Sequence, residues 1–438
     1  MAGGAEAYFS AYGLFLKATT AQIGFLSSLP PLIGSFAQLF SARLARGLAR
    51  RRPLYLAGAI VQTLSFIPLV ALPLLMPAQA LPLLIACVTL YYAGAHFASP
   101  PWTSLMGDLV PERRRGRFFG TRTRYVTITM FIAMLVAGAV LHGFDTGHNA
   151  LFGFLAIFSV ATLARVVSVY HLARMHEPPK QASASFPALD WHGLVARLRA
   201  SSFARFSLFY GLMQGATAIA SPFFTVYMLR DLQFSYLEFT VLMATAVLVQ
   251  FLALGTWGRL CDAFGNRAIL RVTGTMIPIV PLLWLPTSNF WYLLLVQLMG
   301  GLAWSGFSLA ANNSLYDLVP AARRTSYLAL HTVAASVAIF AGAMLGGTLG
   351  TILPKDFIVL GHDIALPSAL LFVILISGCA RGLVAAIFLP RLREVRNVRE
   401  LPVGRLVLNV VQIVPLSGLI FDIVAGRRGK RLVSRSTE

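Results

Sequence analysis

DLVPERRRGRFFG, residues 108–120, returns as DLVPAARRTSYLA at residues 317–329. Each copy follows a long apolar run and carries an acid, a proline and then arginines. That is the pattern of a helix leaving lipid and stopping at a charged surface. A second pair stands in register further on, Ala164-Arg165 and Ala380-Arg381, each followed by apolar residues and a basic exit. Two copies of one plan imply a duplicated fold, and the surrounding sequence supplies its units.

The 438 residues are 57% hydrophobic and 12% charged, with a mean hydropathy of +0.73, which excludes a water-soluble domain of this length. Continuous apolar runs such as 54–76 and 365–390 exclude a β-barrel, whose strands alternate. Spans are expected near 5–16, 23–44, 54–76, 79–105, 118–143, 150–173, 206–229, 236–257, 268–285, 290–315, 327–353 and 364–390. The fold class that follows is an all-α integral membrane protein of twelve transmembrane helices in two pseudo-symmetric six-helix halves. Its expected units are a first bundle (1–175), a linker (176–203), a second bundle (204–390) and a basic tail (391–438) with an amphipathic interfacial segment near 406–423.

The formal charge of +20 is dispersed between spans and forms no nucleic-acid face. With both termini cytoplasmic, the inner loops and tail hold most of the 36 Lys and Arg, while Lys17, Arg230 and Lys355 alone fall outside and Arg165 and Arg381 lie within spans. The positive-inside rule therefore predicts a multi-pass inner-membrane protein in that orientation. No cleavable signal is read at the N-terminus, so the first span is expected to act as its own membrane signal. Cys87, Cys261 and Cys379 lie far apart without metal-ligand spacing, and no cofactor is expected.

GRLCDAFGNR at residues 258–267 resembles the GxxxDRxGRR signature loop of the major facilitator superfamily, through Gly258, Asp262, Gly265 and Arg267. Ala263 replaces its first basic residue. The loop after the second span, 41–52, keeps Arg46 and Arg50 to Arg52 but lacks the two glycines and the aspartate. The resemblance extends along the chain through span count, linker and repeat, and points to a bacterial branch of the family. It implies that Asp262 with Arg267 or Arg271 latches the cytoplasmic face, with Asp108, Asp317 and Arg323 as further gate elements. A carboxylate at a helix start is favoured there by the macrodipole, although surface ion pairs are often worth only ~0–1 kcal/mol.

Glu6 is the one carboxylate placed well inside a span, and it is a candidate proton carrier. His96 and His331 are weaker candidates, since a lone intramembrane histidine usually just bonds a neighbour. Arg165 and Arg381 should face a cavity, meet a carboxylate or snorkel to the surface. The resemblance implies a cavity between the first, fourth, seventh and tenth spans, where Tyr8, Tyr12, Tyr92, Gln214, Thr217, Ser221, Tyr227, Gln297, Trp304 and Asn313 are candidate lining residues. Some of these would serve only as interhelical glue. Pro222 and the pair Pro100-Pro101 should break or bend their helices.

The expected function is secondary active or facilitative transport of a small organic solute by alternating access, with H+ or Na+ as candidate coupling ions. The expected partners are the bilayer and that solute, not nucleic acid, and the expected state is a monomer. The alternative, motivated by the degenerate loop at 41–52, is a binding or assembly factor that retains the carrier scaffold without transport. An enzyme is not expected, because no nucleophile elbow, haem-type pairing or metal cluster is present in the sequence.

Overall fold

The computed structural model describes residues 2–48, 50–75, 77–147, 149–177, 201–319, 324–353, 356–359, 362–365, 368–392 and 394. The expected linker, the interfacial tail segment and Arg323 lie outside them, wholly or in their central part. Apolar composition makes helix the only open structure that satisfies its own backbone in lipid, and the chain is accordingly helical nearly throughout. Its α-helices in chain order are α1 (Ala2–Glu6), α2 (Phe9–Phe15), α3 (Thr20–Gly47), α4 (Arg52–Leu64), α5 (Phe66–Leu75), α6 (Ala80–Leu109), α7 (Glu112–Thr146) and α8 (Ala150–Ala173). The second half supplies α9 (Ser202–Ala218), α10 (Phe223–Val226), α11 (Tyr236–Phe264), α12 (Asn266–Leu282), α13 (Phe290–Leu318), α14 (Arg324–Ile352) and α15 (Leu370–Phe388).

Among the described residues ten helical segments are long and apolar enough to cross a membrane. The segments α1–α2 and α12 occupy the remaining two of the twelve expected places; α12 has only 17 residues, ~25 Å of helix at 1.5 Å each. One expectation is corrected. The last span begins at Leu370 and not near residue 364, because β1 (Asp356–Val359) pairs antiparallel with β2 (His362–Ala365) ahead of it. That strand pair is an addition to an otherwise all-helical plan.

The packing repeats. In the first half α1 packs on α7, α3 and α4 on α6, and α4 and α5 on α8; in the second, α9 packs on α14, α11 and α12 on α13, and α12 on α15. These are the same neighbours taken six passages later, so the sequence repeat is a repeat of packing. Two seams join the halves, α3 against α14 and α7 against α11.

Caps fix where helices start. Thr19 and Gln22 form a reciprocal capping box at α3, and Ser235 and Glu238 form another at α11. Between α11 and α12 a single residue, Gly265, turns the chain with φ 81°, a conformation that a β-carbon resists. This explains a glycine in the signature loop at that position.

Candidate functional site

At the end of the bundle that carries the arginine clusters, each half is tied by the same device. In the first half Arg51 Nη1 donates to Asp108 Oδ2 at 2.5 Å, and Glu177, beyond α8, accepts from the Arg51 backbone N–H at 2.5 Å and from that of Arg52 at 3.3 Å. In the second, Asn266 Nδ2 donates to Asp317 Oδ2 at 3.0 Å, and Glu394, beyond α15, accepts from the Arg267 N–H at 2.8 Å. A carboxylate thus covers the start of α4 and of α12, where unsatisfied N–H groups and the helix dipole both favour it. Asp108 and Asp317 are therefore held within their own halves, by Arg51 and by Asn266. Asp262 is exposed on the last turn of α11; Arg46 lies on the last turn of α3, its side chain outside the described part.

The middle of each half contains an arginine from its last helix set against a break in its first. α9 stops at Ala218 and α10 resumes at Phe223, because Pro222 has no N–H to offer the Ala218 carbonyl. The turn tightens as well: Ala220 N–H bonds the Thr217 carbonyl at 3.2 Å, which leaves the Ala216 carbonyl open. Ser377 of α15 fills that vacancy, its hydroxyl donating to Ala216 O at 2.6 Å while its oxygen accepts from Arg381 Nε at 3.1 Å. Arg381 is only 2% exposed and also points Nη2 at Thr217 O, 3.4 Å away. Among the described residues no carboxylate pairs with it, so its charge rests on carbonyl dipoles at the end of a broken helix. It does not snorkel.

In the first half the break falls between Glu6, the last residue of α1, and Phe9. Tyr91 of α6 donates its hydroxyl to Glu6 Oε1, and Arg165 of α8 donates from Nη2 to that hydroxyl at 3.2 Å with its guanidinium 5.6 Å from the ring centroid. Tyr91 is eleven residues from the start of the 30-residue α6, ~16 Å along it. Glu6 therefore lies at mid-depth of the bundle, although it is only the sixth residue of the sequence. Phe9 and Phe66 pack on the tyrosine, Phe66 centred 4.9 Å from its ring, and Phe158 lies against both phenylalanines. Arg165 Nε is buried without a hydrogen-bond partner, and a carboxyl, a phenol and a guanidinium in apolar surroundings form a strongly coupled group.

The other candidates divide. His96 Nδ1 meets Gln38 Oε1 at 3.2 Å, and His331 Nδ1 meets Ser207 Oγ at 3.0 Å beside Tyr210. Tyr92, Gln214, Thr217, Trp304 and Asn313 are partly accessible and Ser221 is exposed, which suits cavity lining. Tyr8, Tyr12 and Tyr227 are buried, as is Gln297, and the structure differs here from the expectation of open cavity positions. Tyr12 donates to Leu69 O at 3.2 Å, Gln297 Nε2 to Leu242 O at 3.2 Å, and Tyr227 packs on Trp284. Tyr8 is the informative one. Its hydroxyl reaches Met134 O at 2.8 Å and Thr240 Oγ1 at 2.7 Å, while Thr240 also reaches Tyr236 O at 2.7 Å. Two protons serve three contacts, so the pair has two arrangements, and it bridges the two halves.

Contacts across both seams gather at the end far from the arginine clusters. On one, Phe25 meets Phe340 with ring centroids 5.9 Å apart, a β-carbon on Gly24 would lie 3.0 Å from Ala343 O, and Arg230 Nη1 donates to Thr20 Oγ1 at 3.1 Å. On the other, a β-carbon on Gly138 would lie 2.2 Å from Thr240 Oγ1. Toward the basic end, Gly120 of α7 and Gly255 and Gly258 of α11 would each meet nothing within 4 Å. The α7–α11 seam is thus in contact at the Gly138–Thr240 end, and open space lies beside Gly120, Gly255 and Gly258 toward the basic end.

Sequence reasoning missed Glu177, Glu394, Arg51 and Ser377. The first two follow Arg165 and Arg381 by twelve and thirteen residues, one residue out of that register, which is why the repeat alone does not pair them.

The family model of the Major Facilitator Superfamily matches residues 2–217 and 206–428. Residues of the chain are 29% identical over a 138-residue stretch to the tetracycline resistance protein, class H, of Pasteurella multocida; this covers 31% of the chain and 34% of that protein, about a third of its length. Among solved structures the fold is similar to a D-xylose-proton symporter (TM-score 0.68, 13% identity, covering 91% of this chain and 94% of that one). It is similar also to the nucleoside transporter NupG (TM-score 0.63, 16% identity, 90% and 98%) and to an inward-facing bacterial homologue of the iron transporter ferroportin (TM-score 0.68, 14% identity, 89% and 94%). With its fold and both halves matched, this chain, a multi-pass membrane protein and not an enzyme, belongs to the Major Facilitator Superfamily.

Proposed function

We propose that the protein carries a small organic solute across the inner membrane by alternating access, with its basic end and both termini in the cytoplasm. The observation that supports this reading is the α7–α11 seam, in tight contact at Gly138 and Thr240, with open space beside Gly120, Gly255 and Gly258 toward the basic end. One pair of rigid halves joined at a single end can rock, and the described conformation then opens toward the cytoplasm. The halves that move are residues 1–175 and 204–390. Rocking them brings Asp262 and its glycine turn, the latch that the resemblance implies with Arg267 or Arg271, toward the start of α7. The solute site lies between the halves, beside Tyr92, Gln214, Thr217, Ser221, Trp304 and Asn313.

Glu6 is the coupling group in this reading. It lies beside Tyr91 in the middle of α6, it reaches Arg165 through that tyrosine, and it adjoins a helix break that closure would flex. A proton on Glu6 removes the charge that balances Arg165, and that change biases one arrangement over the other. Solute flux into proteoliposomes, screened over a solute library with and without an imposed pH gradient, tests the function. In Glu6→Gln, accumulation driven by the gradient is expected to fall to the level without it, while solute exchange at equal concentrations persists. Gradient-driven accumulation that survives the substitution contradicts the assignment of Glu6, and absence of flux for every solute contradicts transport.

A further inference from the structure

A second cavity, of about 460 Å³, opens at the basic end of the second half and belongs to neither the seams nor the helix breaks. It is lined by Arg205 from the first turn of α9, Arg267 from the start of α12 and Arg391 just beyond α15. Two carboxylates share it, and both already have protein partners: Asp317 accepts from Asn266, and Glu394 accepts from the Arg267 backbone. The guanidiniums of Arg205 and Arg391 stand exposed, and among the described residues neither pairs with a carboxylate. The inner walls are apolar, formed by Phe206, Leu270 and Phe388.

Among the described lining residues, three positive groups stand against two negative ones that already accept hydrogen bonds, a surplus of one positive charge. Arginine forks suit the oxygens of a phosphate better than those of any neutral ligand. Apolar walls continuing inward from a charged mouth match an amphiphile whose head stays at the membrane surface. We infer that this cavity binds a phosphate-bearing anion, supplied either by the headgroup of an anionic phospholipid in the adjoining leaflet or by free phosphate.

Ligation of this kind would tie α9, α12 and α15 together at their basic ends, so it would stiffen the second half. It does not depend on the solute or on proton coupling.

Binding is read by native mass spectrometry and thermal melting of the full-length protein, with three probes: dioctanoyl phosphatidylglycerol, dioctanoyl phosphatidylcholine and inorganic phosphate. Two variants are compared with the native chain. Arg205→Gln with Arg391→Gln removes charge, and Ser314→Phe fills the cavity while leaving the arginines. Saturable binding of phosphatidylglycerol in preference to phosphatidylcholine, weakened roughly tenfold or more in both variants, identifies the lipid source. Saturable binding of inorganic phosphate lost in the same variants identifies the free anion. Should the charge variant fail to elute as a folded monodisperse protein, the cavity-filling variant alone decides. Binding that both folded variants retain, or no binding of any anionic probe to the native chain, overturns the inference.

Discussion

Leucine in place of Gly138 is expected to prise the far end of the bundle apart and reverse the conformation described here. A β-carbon at that position would stand 2.2 Å from Thr240 Oγ1 and 2.6 Å from its β-carbon. Thr240 cannot simply swing away, because it is fully buried and its hydroxyl meets both Tyr8 and Tyr236. Overpacking of this kind costs about 1–3 kcal/mol, and since it acts only in the state where α7 and α11 touch at this end, it shifts the two-state balance by roughly 5- to 150-fold. Hydrogen exchange resolved by mass spectrometry checks it. Exchange should rise over residues 232–242 and fall over 254–264. The mirror substitution, Gly255→Leu, meets no neighbour in this state and should leave it populated.

The largest loss of stability is expected at Gly346. A β-carbon there would lie 1.9 Å from the Ile219 carbonyl oxygen and 2.8 Å from its carbon, and on Gly342, one turn earlier, 2.0 Å from Gly215 O. These are backbone atoms and no rotamer relieves them. The glycines let α14 lie directly on α9 and its break, and in lipid such close packing is what holds helices together, since apolar burial gives no net drive there. Gly346→Leu should separate the two helices at a cost above ~3 kcal/mol and yield little monodisperse protein; even Gly346→Ala should lower the melting temperature. A native elution profile for the leucine variant would be inconsistent with this packing. On the same helix, a β-carbon on Gly347 would lie 3.1 Å from the Ala21 Cα across the seam between halves.

The architecture was legible because bilayer solvent leaves so few choices. Runs of apolar residues had to be helices, arginine placement ordered the loops, and one repeated DLVP stretch revealed duplication. Pro222 announced the break in the seventh passage for a local reason, its missing N–H. The strand pair of β1 and β2 was read as helix in part, since Ile364 and Ala365 are apolar and hydropathy alone does not distinguish a short strand from the end of a span. What was not legible depends on contacts between distant helices. Arg165 was expected to choose between water, cavity and carboxylate, and that choice was made by Tyr91, 74 residues away, and by Glu6. Tyr8 carries a polar tip suited to a cavity, yet it is consumed by Met134 and Thr240. Composition cannot say which polar residue in a span meets solute and which meets another helix.

The arginines at the two helix breaks show how duplication tolerates divergence. In the second half Ser377 and Arg381, one turn apart, cap open carbonyls directly; in the first, Ala161 occupies the place in register with Ser377, and the arginine meets a phenol and a carboxyl instead. One half thus ties its arginine to backbone carbonyls and the other ties it to ionisable side chains.

Paired spin labels measure the central motion directly. Cysteines at Gly120 and Gly258 report the basic end of the α7–α11 seam, and cysteines at Lys17 and Gln233, both exposed, report the far end. In double electron–electron resonance on the protein in lipid nanodiscs, rocking halves predict two distance populations at each pair with opposite weights, and Gly138→Leu should move both weights together, shortening the first distance as the second grows. A single distance at each pair, unmoved by that substitution, would contradict alternating access.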